Sequence, residues 1–413
     1  MPTFIFNMDQ MPKISFLIFL LFILFSFKNQ NTETERGSRT IRCPSSYSSV
    51  SSLVSIDSFP SRPVSLSMKN IVPEEADSLQ SLEYDFYRES CPQAEQIIRA
   101  IVQHHHQVRS NVAPALVRLA FHDCFIEGCD ASVLLDAAEG LDSEKESPPN
   151  QSLKGFDVIE AIKSKLEEEC PEIVSCADIL VVAARDSVVL AGGPFYPLYT
   201  GRRDGSNSFS DMAMDELPSP HDDLSKTLAS FASRGFSERE TVSLLGAHSI
   251  GMFHCKFFQN RLYNFSGTNV PDPSLDIGFL DLLRSRCNGI HASFSSSLPY
   301  SSGSSPAPRT LQSRFHKGST TSSLEEKGMA LDYNKPGSAF GKFYYQSLLE
   351  GKGFLHADQQ LMAWEGTGTW VKAYALDASL FQRDFALAMM KLSNLQVLTA
   401  PLGQIRLNCS KVA

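Results

Sequence analysis

Arg118 and His122 stand four residues apart in a segment with helical apolar spacing, which would place both side chains on one face of a helix. A neutral imidazole beside a guanidinium can accept a proton while the cation stabilises the negative charge left behind. The same spacing is also typical of a structural Arg–His pair. The residues around the pair must therefore decide between acid–base chemistry and a structural role.

The segment that follows the pair is rich in oxygen ligands. In chain order these are the side chain of Asp123, the carbonyls of Ile126 and Gly128, and the side chains of Asp130 and Ser132. Calcium binds roughly six to eight such oxygens, and a bond between Cys124 and Cys129 could close the loop around it. A solvated acidic loop is the alternative, but it explains neither the cysteines nor the adjacent pair.

A further histidine, His248, lies in the apolar segment LLGAHSIG at residues 244–251. A single histidine in such a segment is usually a core residue. As an iron ligand it would need a hydrogen-bond acceptor that makes the imidazole strongly basic. The local sequence does not identify that acceptor, so the role of His248 stays open at this point.

Helices have to position these groups, because strand-like alternation is rare and several segments repeat apolar residues at helical spacing. Asn111 is expected to cap the helix that carries the Arg–His pair, with Pro114 in its first turn. Three further helices are expected at residues 155–169, 177–190 and 383–392. The sequence therefore predicts a mainly α fold.

Six segments, in order along the chain, make the sequence resemble the plant secretory haem peroxidases, class III. They are RLAFHDCFIEGCDASVLL, VSCADIL, LAGGP, GRRD, LLGAHSIG and RLYNFSG, within a match from about residue 82 to residue 409. The resemblance implies an all-α haem peroxidase fold, with helices in two sub-domains that enclose one haem b and with very little β-structure. Because the chain has no CxxCH motif, the haem is expected to bind non-covalently.

On the distal side of the haem, the resemblance implies Arg118 and His122 as the catalytic pair, with Phe121 beside them. His122 would move a proton from the near to the far oxygen of hydrogen peroxide, and Arg118 would stabilise the charge that develops. Asn150 matches the residue that hydrogen-bonds the distal histidine, although it also begins an Asn-Gln-Ser glycosylation sequon.

On the proximal side, the resemblance implies His248 as the axial iron ligand and Asp358 as its hydrogen-bond partner. Asp358 would make the imidazole electron-rich, so that it supports the oxidised iron. Pro218, in the segment LPSP, matches the residue at the donor entrance.

The resemblance also implies two calcium sites. The distal ligands would be Asp123, Ile126, Gly128, Asp130 and Ser132, with Glu144 acting through water. At the proximal site Ser249 and Asp332 can serve, but Lys335 stands where threonine is expected and Gly341 where a final aspartate is expected. Since calcium affinity depends on ligand charge and number, we expect the proximal site to be weakened or absent.

Nine cysteines in an exported chain would form four disulfide bonds and leave one over. Zinc is disfavoured because no CxxC pair occurs. The resemblance implies the pairs Cys91–Cys170, Cys124–Cys129, Cys176–Cys409 and Cys255–Cys287. Cys43, far from the others in sequence, is expected to be the unpaired one.

The N-terminus predicts export. Lys13 precedes a short apolar run at residues 14–27, which is typical of a signal peptide, with a signal anchor as the alternative and Met11 as a second candidate start. We therefore expect a signal peptide at residues 1–27, a low-complexity linker or propeptide at 28–80, and a haem peroxidase domain at 81–413 with a Ser-rich insertion at about 291–325. The destination would be extracellular space or cell wall.

The implied function is peroxide reduction coupled to one-electron oxidation of small, phenolic donors, with roles in oxidative-stress response, hydrogen peroxide catabolism and lignin or cell-wall metabolism. The alternatives are a haem-bound cell-wall protein with little turnover and, more distantly, a redox-sensing calcium-binding protein without haem. A net charge of −9 and a pI near 5.6 argue against nucleic-acid binding. The protein is expected to be a monomer.

Overall fold

The computed structural model describes residues 81–287, 328–330 and 340–413. The predicted signal peptide and linker, Cys43, most of the proximal calcium segment including Asp332, and the Ser-rich insertion lie outside these residues. Within the described chain, no helix is both long and apolar enough to cross a membrane.

Thirteen α-helices form most of the described structure, which confirms the mainly α prediction. In chain order they are α1 Ala94–Val108, α2 Val112–Phe125, α3 Phe156–Glu169, α4 Cys176–Leu190, α5 Ser210–Glu216, α6 Leu224–Ala232, α7 Glu238–Leu245, α8 Gln259–Tyr263, α9 Ile277–Cys287, α10 Phe343–Leu349, α11 His356–Gln360, α12 Glu365–Leu376 and α13 Ala378–Ser393. Short 3₁₀ turns connect several of them, among them Ser132–Leu134, Glu144–Glu146 and Gly246–Ser249.

The described β-structure consists of two short antiparallel pairs. Strand β1 (Glu83–Tyr84) pairs with β2 (Tyr199–Thr200), so that Glu83 lies opposite Thr200. Strand β3 (Met252–His254) pairs with β4 (Gly328–Ala330), so that Met252 lies opposite Ala330.

Helix α4 is the centre of the core. Every residue from 176 to 188 is buried, and the helix packs against both α1 and α2. Ser175 caps its start by accepting a hydrogen bond from the amide of Asp178. Because α2 lies along this buried helix, the Arg–His pair is carried by a rigid element.

Four disulfide bonds tie the described chain together, and they are the four pairs that the resemblance implies. They join Cys91 to Cys170, Cys124 to Cys129, Cys176 to Cys409 and Cys255 to Cys287. The third connects the first residue of α4 to the C-terminal segment. Such long-range bonds stabilise a fold mainly by restricting the unfolded chain.

Two local predictions were wrong. Asn111 precedes α2 but makes no side-chain capping bond, because its own backbone is already in the helical region. The last helix begins at Ala378, well before residue 383, because Asp377 caps it by accepting from the amides of Ser379 and Leu380.

Candidate active site

Helix α2 is buried over most of its surface except for one stripe. The partly accessible residues are Pro114, Ala115, Arg118 and Phe121. Residues three and four apart lie on one helix face, so this stripe is a single accessible face of the helix. The ring of Phe121 meets that of His122 edge-on, with centroids 6.0 Å apart.

A hydrogen-bond chain fixes the protonation of His122. The amide nitrogen of Asn150 donates to the carbonyl of Glu144 at 2.9 Å, so its oxygen faces Nδ1 of His122 at 2.6 Å. Nδ1 must then carry the proton, which leaves a lone pair on Nε2. Nε of Arg118 donates to this Nε2 at 3.2 Å.

The electrostatics make His122 a neutral base beside a cation. Burial first, and then the charge of Arg118, lower the pKa of His122 to about 3. Burial also lowers the pKa of Arg118 to about 10, which still leaves it charged at neutral pH. The guanidinium is held by Ser152 Oγ and the carbonyl of Pro149, both at 3.0 Å. Sequence reasoning missed these two residues, although they flank Asn150.

His248 differs from His122, because a carboxylate holds its ring and raises its pKa. It sits in the turn Gly246–Ser249 after α7, and its Nδ1 is 2.8 Å from Oδ1 of Asp358 in α11. Burial works to lower the pKa of His248, but the charge and hydrogen bond of Asp358 outweigh it and raise the pKa. Nε2 is therefore the nitrogen that can bind iron.

The accessible face of α2 and the segment of His248 lie next to each other, and the space between them is the candidate cleft. The charge of Arg118 reaches His248 and acts to lower its pKa. Gly251 has φ +99°, and a Cβ there would lie 3.0 Å from Cβ of Pro114 on the α2 stripe. The side chain of His248 is 37% exposed, whereas that of Asp358 behind it is 1% exposed. A histidine that is to bind iron needs an accessible imidazole and a hydrogen-bond acceptor behind it.

The walls of this cleft suit haem. Beside His248, the partly accessible side chains are the apolar Leu245, Ala247 and Ile250. They complement the α2 stripe, which is apolar apart from Arg118. Apolar walls could contact the apolar part of a haem, and the available imidazole of His248 could bind its iron, with an acid–base pair nearby for the reaction.

The predicted distal calcium ligands form a buried acidic group. Asp123, Ser132 and Glu144 are completely buried, and Asp130 nearly so. Burial, followed by the charges of Asp130 and Glu144, raises the pKa of Asp123. Burial is also the main reason that the pKa rises to about 6 at Asp130 and about 7 at Glu144.

Two orphaned oxygens in this group fit a cation. Oγ of Ser132 and Oε2 of Glu144 are buried without a hydrogen-bond partner among the residues that the structure describes. The carbonyl of Gly128 accepts from the amide of Asp130 at 3.0 Å but keeps a second lone pair, and Ile126 is fully buried beside it. In the described chain, no three His, Cys, Asp or Glu side chains are close enough to hold a metal by themselves. Calcium would therefore depend on hydroxyl and carbonyl oxygens as well.

The loop that carries these ligands is closely constrained. Gly128 has φ +99°, and a Cβ there would lie 2.6 Å from both Cβ and the carbonyl oxygen of Gln396, so only glycine fits. The Cys124–Cys129 bond spans the same turn. Buried Arg406 donates to the carbonyl of Ala131 at 2.8 Å. Sequence reasoning missed Arg406, whose only signal is its place near the end of the match, which runs to residue 409.

The remaining predicted residues are only partly placed. Ser249 is buried and its Oγ has no hydrogen-bond partner among the described residues, but its predicted fellow ligand Asp332 lies outside them. Pro218 is half-buried. Its segment is tied to α11 because the carbonyl of Pro220 accepts from the amide of Ala357 at 3.1 Å.

Comparison with known proteins gives one consistent result. A family model described as Peroxidase matches residues 97–377. Putative Peroxidase 48 of Arabidopsis thaliana is 54% identical over 332 residues, which cover 80% of this chain and 82% of the relative. Peroxidase 28 and Peroxidase 66 of the same plant are 37% and 38% identical, over 80% and 82% of this chain and 93% of each relative.

Proposed function

The chain belongs to the peroxidase family, among the plant secretory haem enzymes, and on this premise we propose that it reduces hydrogen peroxide with electrons from small phenolic donors. The observation that carries the proposal is the chain from Asn150 through His122 to Arg118. It creates a neutral base next to a fixed cation, across the cleft from an anchored imidazole.

Haem, bound through Nε2 of His248, would supply the iron that exchanges electrons with peroxide and donors. Nε2 of His122 accepts a proton from one peroxide oxygen and returns it to the other oxygen, which leaves as water. Arg118 stabilises the negative charge that develops as the O–O bond breaks. Asn150 keeps the Nδ1 proton directed away from the cleft, so Nε2 stays available as the base.

On the other side, Asp358 holds Nδ1 of His248 and increases the electron density of its ring. A carboxylate behind a metal-bound histidine fixes the ring orientation and raises its basicity. With haem bound, this donation would favour the oxidised iron over the reduced one. Haem b is the cofactor proposed because the chain belongs to the peroxidase family and has no CxxCH motif for a covalent link.

The proposed location and donor rest on the disulfide bonds and on the family. Four disulfide bonds support folding in an oxidising compartment, and we propose secretion to the extracellular space or cell wall after removal of residues 1–27. Pro218 is proposed at the donor entrance, and the working form is proposed to be a monomer. Roles in the oxidative-stress response and in lignin or cell-wall metabolism belong to the same proposal.

Steady-state oxidation of several phenols by the haem-loaded protein tests the proposal. We expect His122→Ala to keep the Soret band and to lose about 10²–10⁴-fold in the rate of peroxide cleavage, because it removes the proton carrier. His104→Ala, at an exposed position on α1, is the matched control and should react like the wild type. A Soret band without turnover would instead favour a haem-bound wall protein, and no Soret band would exclude both.

A further inference from the structure

A row of aromatic side chains leads away from the proximal histidine. We define the aromatic chain as Tyr344, Tyr345, Tyr374 and Trp370. From His248 to Tyr344 the ring centroids are 6.5 Å apart, and the next separations along the chain are 4.9, 5.1 and 6.1 Å. Phenol and indole rings are the side chains most readily oxidised by one electron, and electrons pass easily between rings this close.

The first member of the aromatic chain is coupled to the candidate axial ligand. The hydroxyl of Tyr344 donates to Oδ1 of Asp358 at 2.8 Å. The same oxygen lies 2.8 Å from Nδ1 of His248. Two hydrogen bonds on one carboxylate oxygen therefore link the phenol to the imidazole.

The inner members differ in what receives their phenolic protons. Tyr374 donates to Oδ2 of Asp384 at 2.8 Å, and a carboxylate can take the proton when the ring loses an electron. Tyr345 donates to the carbonyl of Val242 at 3.0 Å, and a carbonyl cannot take it. Tyr374 can therefore hold a neutral radical, whereas Tyr345 only passes an electron between its neighbours.

The outer end of the aromatic chain reaches the surface. Trp370 is half-buried, and the guanidinium of Arg239 lies 4.3 Å from its ring centroid. Arg239 is 38% exposed. Arg239 donates two hydrogen bonds to Asp384, at 2.8 and 2.9 Å, and the same carboxylate also pairs with Arg383 at 3.1 Å. The indole is therefore near solvent, beside two guanidinium groups that share one carboxylate.

We propose that the aromatic chain is an electron relay, through which the enzyme oxidises at Trp370 electron-rich aromatic donors too bulky to enter the haem cleft. The inference rests on the proposed function, because hydrogen peroxide is the oxidant. Reduction of one peroxide to two waters consumes two electrons and two protons. For each electron, the Trp370 indole loses one electron inward and its N–H proton to solvent, and a donor phenol restores both. Two donor phenols are therefore oxidised to phenoxyl radicals per peroxide.

The chain contains two tryptophans, which provides a matched pair of variants. Trp370→Phe removes the outer member, while Trp364→Phe removes an indole that is 57% exposed but outside the aromatic chain. Two donors are compared: a free phenol, and the same phenol grafted to dextran so that it cannot enter the cleft. We expect Trp370→Phe to lose most of the turnover of the grafted phenol and to keep that of the free phenol. Trp364→Phe should match the wild type with both.

The radical itself gives a readout that does not depend on donor turnover. Peroxide is added without a donor, the sample is freeze-quenched for electron paramagnetic resonance, and a spin trap is located by peptide mass spectrometry. We expect trapping at Trp370 in the wild type and in Trp364→Phe, and its loss in Tyr374→Phe, whose fold is checked by thermal unfolding.

The outcomes separate the two claims. Equal turnover of the grafted phenol by Trp370→Phe and wild type, or no trapping at Trp370 in the wild type, would overturn the relay while free-phenol turnover leaves the proposed function standing. Failure of the wild type to oxidise even the free phenol would remove the proposed function, and the relay with it.

Discussion

At the scale of single residues, the amide of Asn150 determines what His122 can do. Its nitrogen donates a hydrogen bond to the carbonyl of Glu144, so its oxygen is the atom that faces the imidazole. The sequence alone leaves Asn150 divided between this role and a glycosylation sequon. Its 2% exposure shows that the amide cannot carry a glycan in this fold.

The pH dependence of peroxide cleavage should follow the protonation of His122. Because burial and the charge of Arg118 lower the pKa of His122 to about 3, we expect the second-order rate to stay constant below neutral pH and to fall only near that value. Stopped-flow mixing with peroxide measures it, with the Soret band followed at each pH to detect loss of haem. An inflection near the ordinary imidazole value of 6.5 would contradict the buried, neutral base.

The same lowered pKa has a consequence for stability. Between about 3 and 6.5 the unfolded chain binds a proton at His122 that the folded protein excludes. Stability therefore falls as the pH is lowered through this window, and it is unaffected by this group above it.

The residues of the site differed in how well the sequence identified them. Spacing alone suggested the Arg118–His122 pair, because a helix brings residues four apart together. Asp358 could be found only by resemblance, since it reaches His248 across 110 residues of chain. Tyr344 gave no signal, because its role depends on which carboxylate its hydroxyl meets in the folded protein.

At the scale of elements, the loop after α2 concentrates negative charge that the protein alone does not neutralise. Arg406 offsets part of it, yet the pKa values of Asp130 and Glu144 still rise to about 6 and about 7. Protons and calcium therefore compete for the same carboxylates.

Calcium should stabilise the protein more in alkaline than in acidic solution. We expect the rise in Tm between chelator and excess calcium to be larger at about pH 8 than at about pH 5, because the ligands must lose their protons to bind the metal. Asp123→Asn should reduce this rise, whereas Asp142→Asn, an exposed neighbour, should not. An equal rise at both pH values, or an unaffected Asp123→Asn, would argue against calcium in this loop.

The protein should hold one calcium ion tightly rather than two. Ser249 is buried, and its hydroxyl has no hydrogen-bond partner in the described part of the chain, but Lys335 and Gly341 stand where further oxygen ligands are expected. Loss of a carboxylate should weaken calcium strongly. Metal analysis of the purified holoprotein measures the ratio to haem, and Ser249→Ala should leave it unchanged. Two tightly held ions would show this prediction to be wrong.

At the scale of the whole molecule, local patterns predicted the helices better than their association. The start of α13 was misplaced because Asp377 was not recognised as a cap, and α2 starts without the expected Asn111 bond. The aromatic chain was not anticipated at all. It combines residues of α10 and α12, and only their packing brings the rings of Tyr345 and Tyr374 to 5.1 Å.

The three glycosylation sequons differ in how accessible their asparagine side chains are in the folded protein. Asn264 is exposed. The amide nitrogen of Asn408 donates to Glu160 at 2.5 Å, and that of Asn150 is buried in the active-site network. Because glycans are attached during passage through the secretory pathway, a chain modified at Asn150 could not complete this network.

The active secreted enzyme should therefore carry a glycan on Asn264 and none on Asn150. Peptide mass spectrometry after enzymatic deglycosylation in heavy-oxygen water identifies the modified asparagines, and N-terminal sequencing of the same sample should place the first residue between Phe27 and Leu82. Ser266→Ala, which destroys the exposed sequon, should remove one glycan and leave the rate of peroxide cleavage unchanged, because Ser266 is exposed and the hydrogen bonds of His122 go to Arg118 and Asn150. A glycan on Asn150 in enzyme that still cleaves peroxide would contradict the buried amide. A chain that stays in membranes and retains residues 14–27 would instead favour a signal anchor over a cleaved signal peptide.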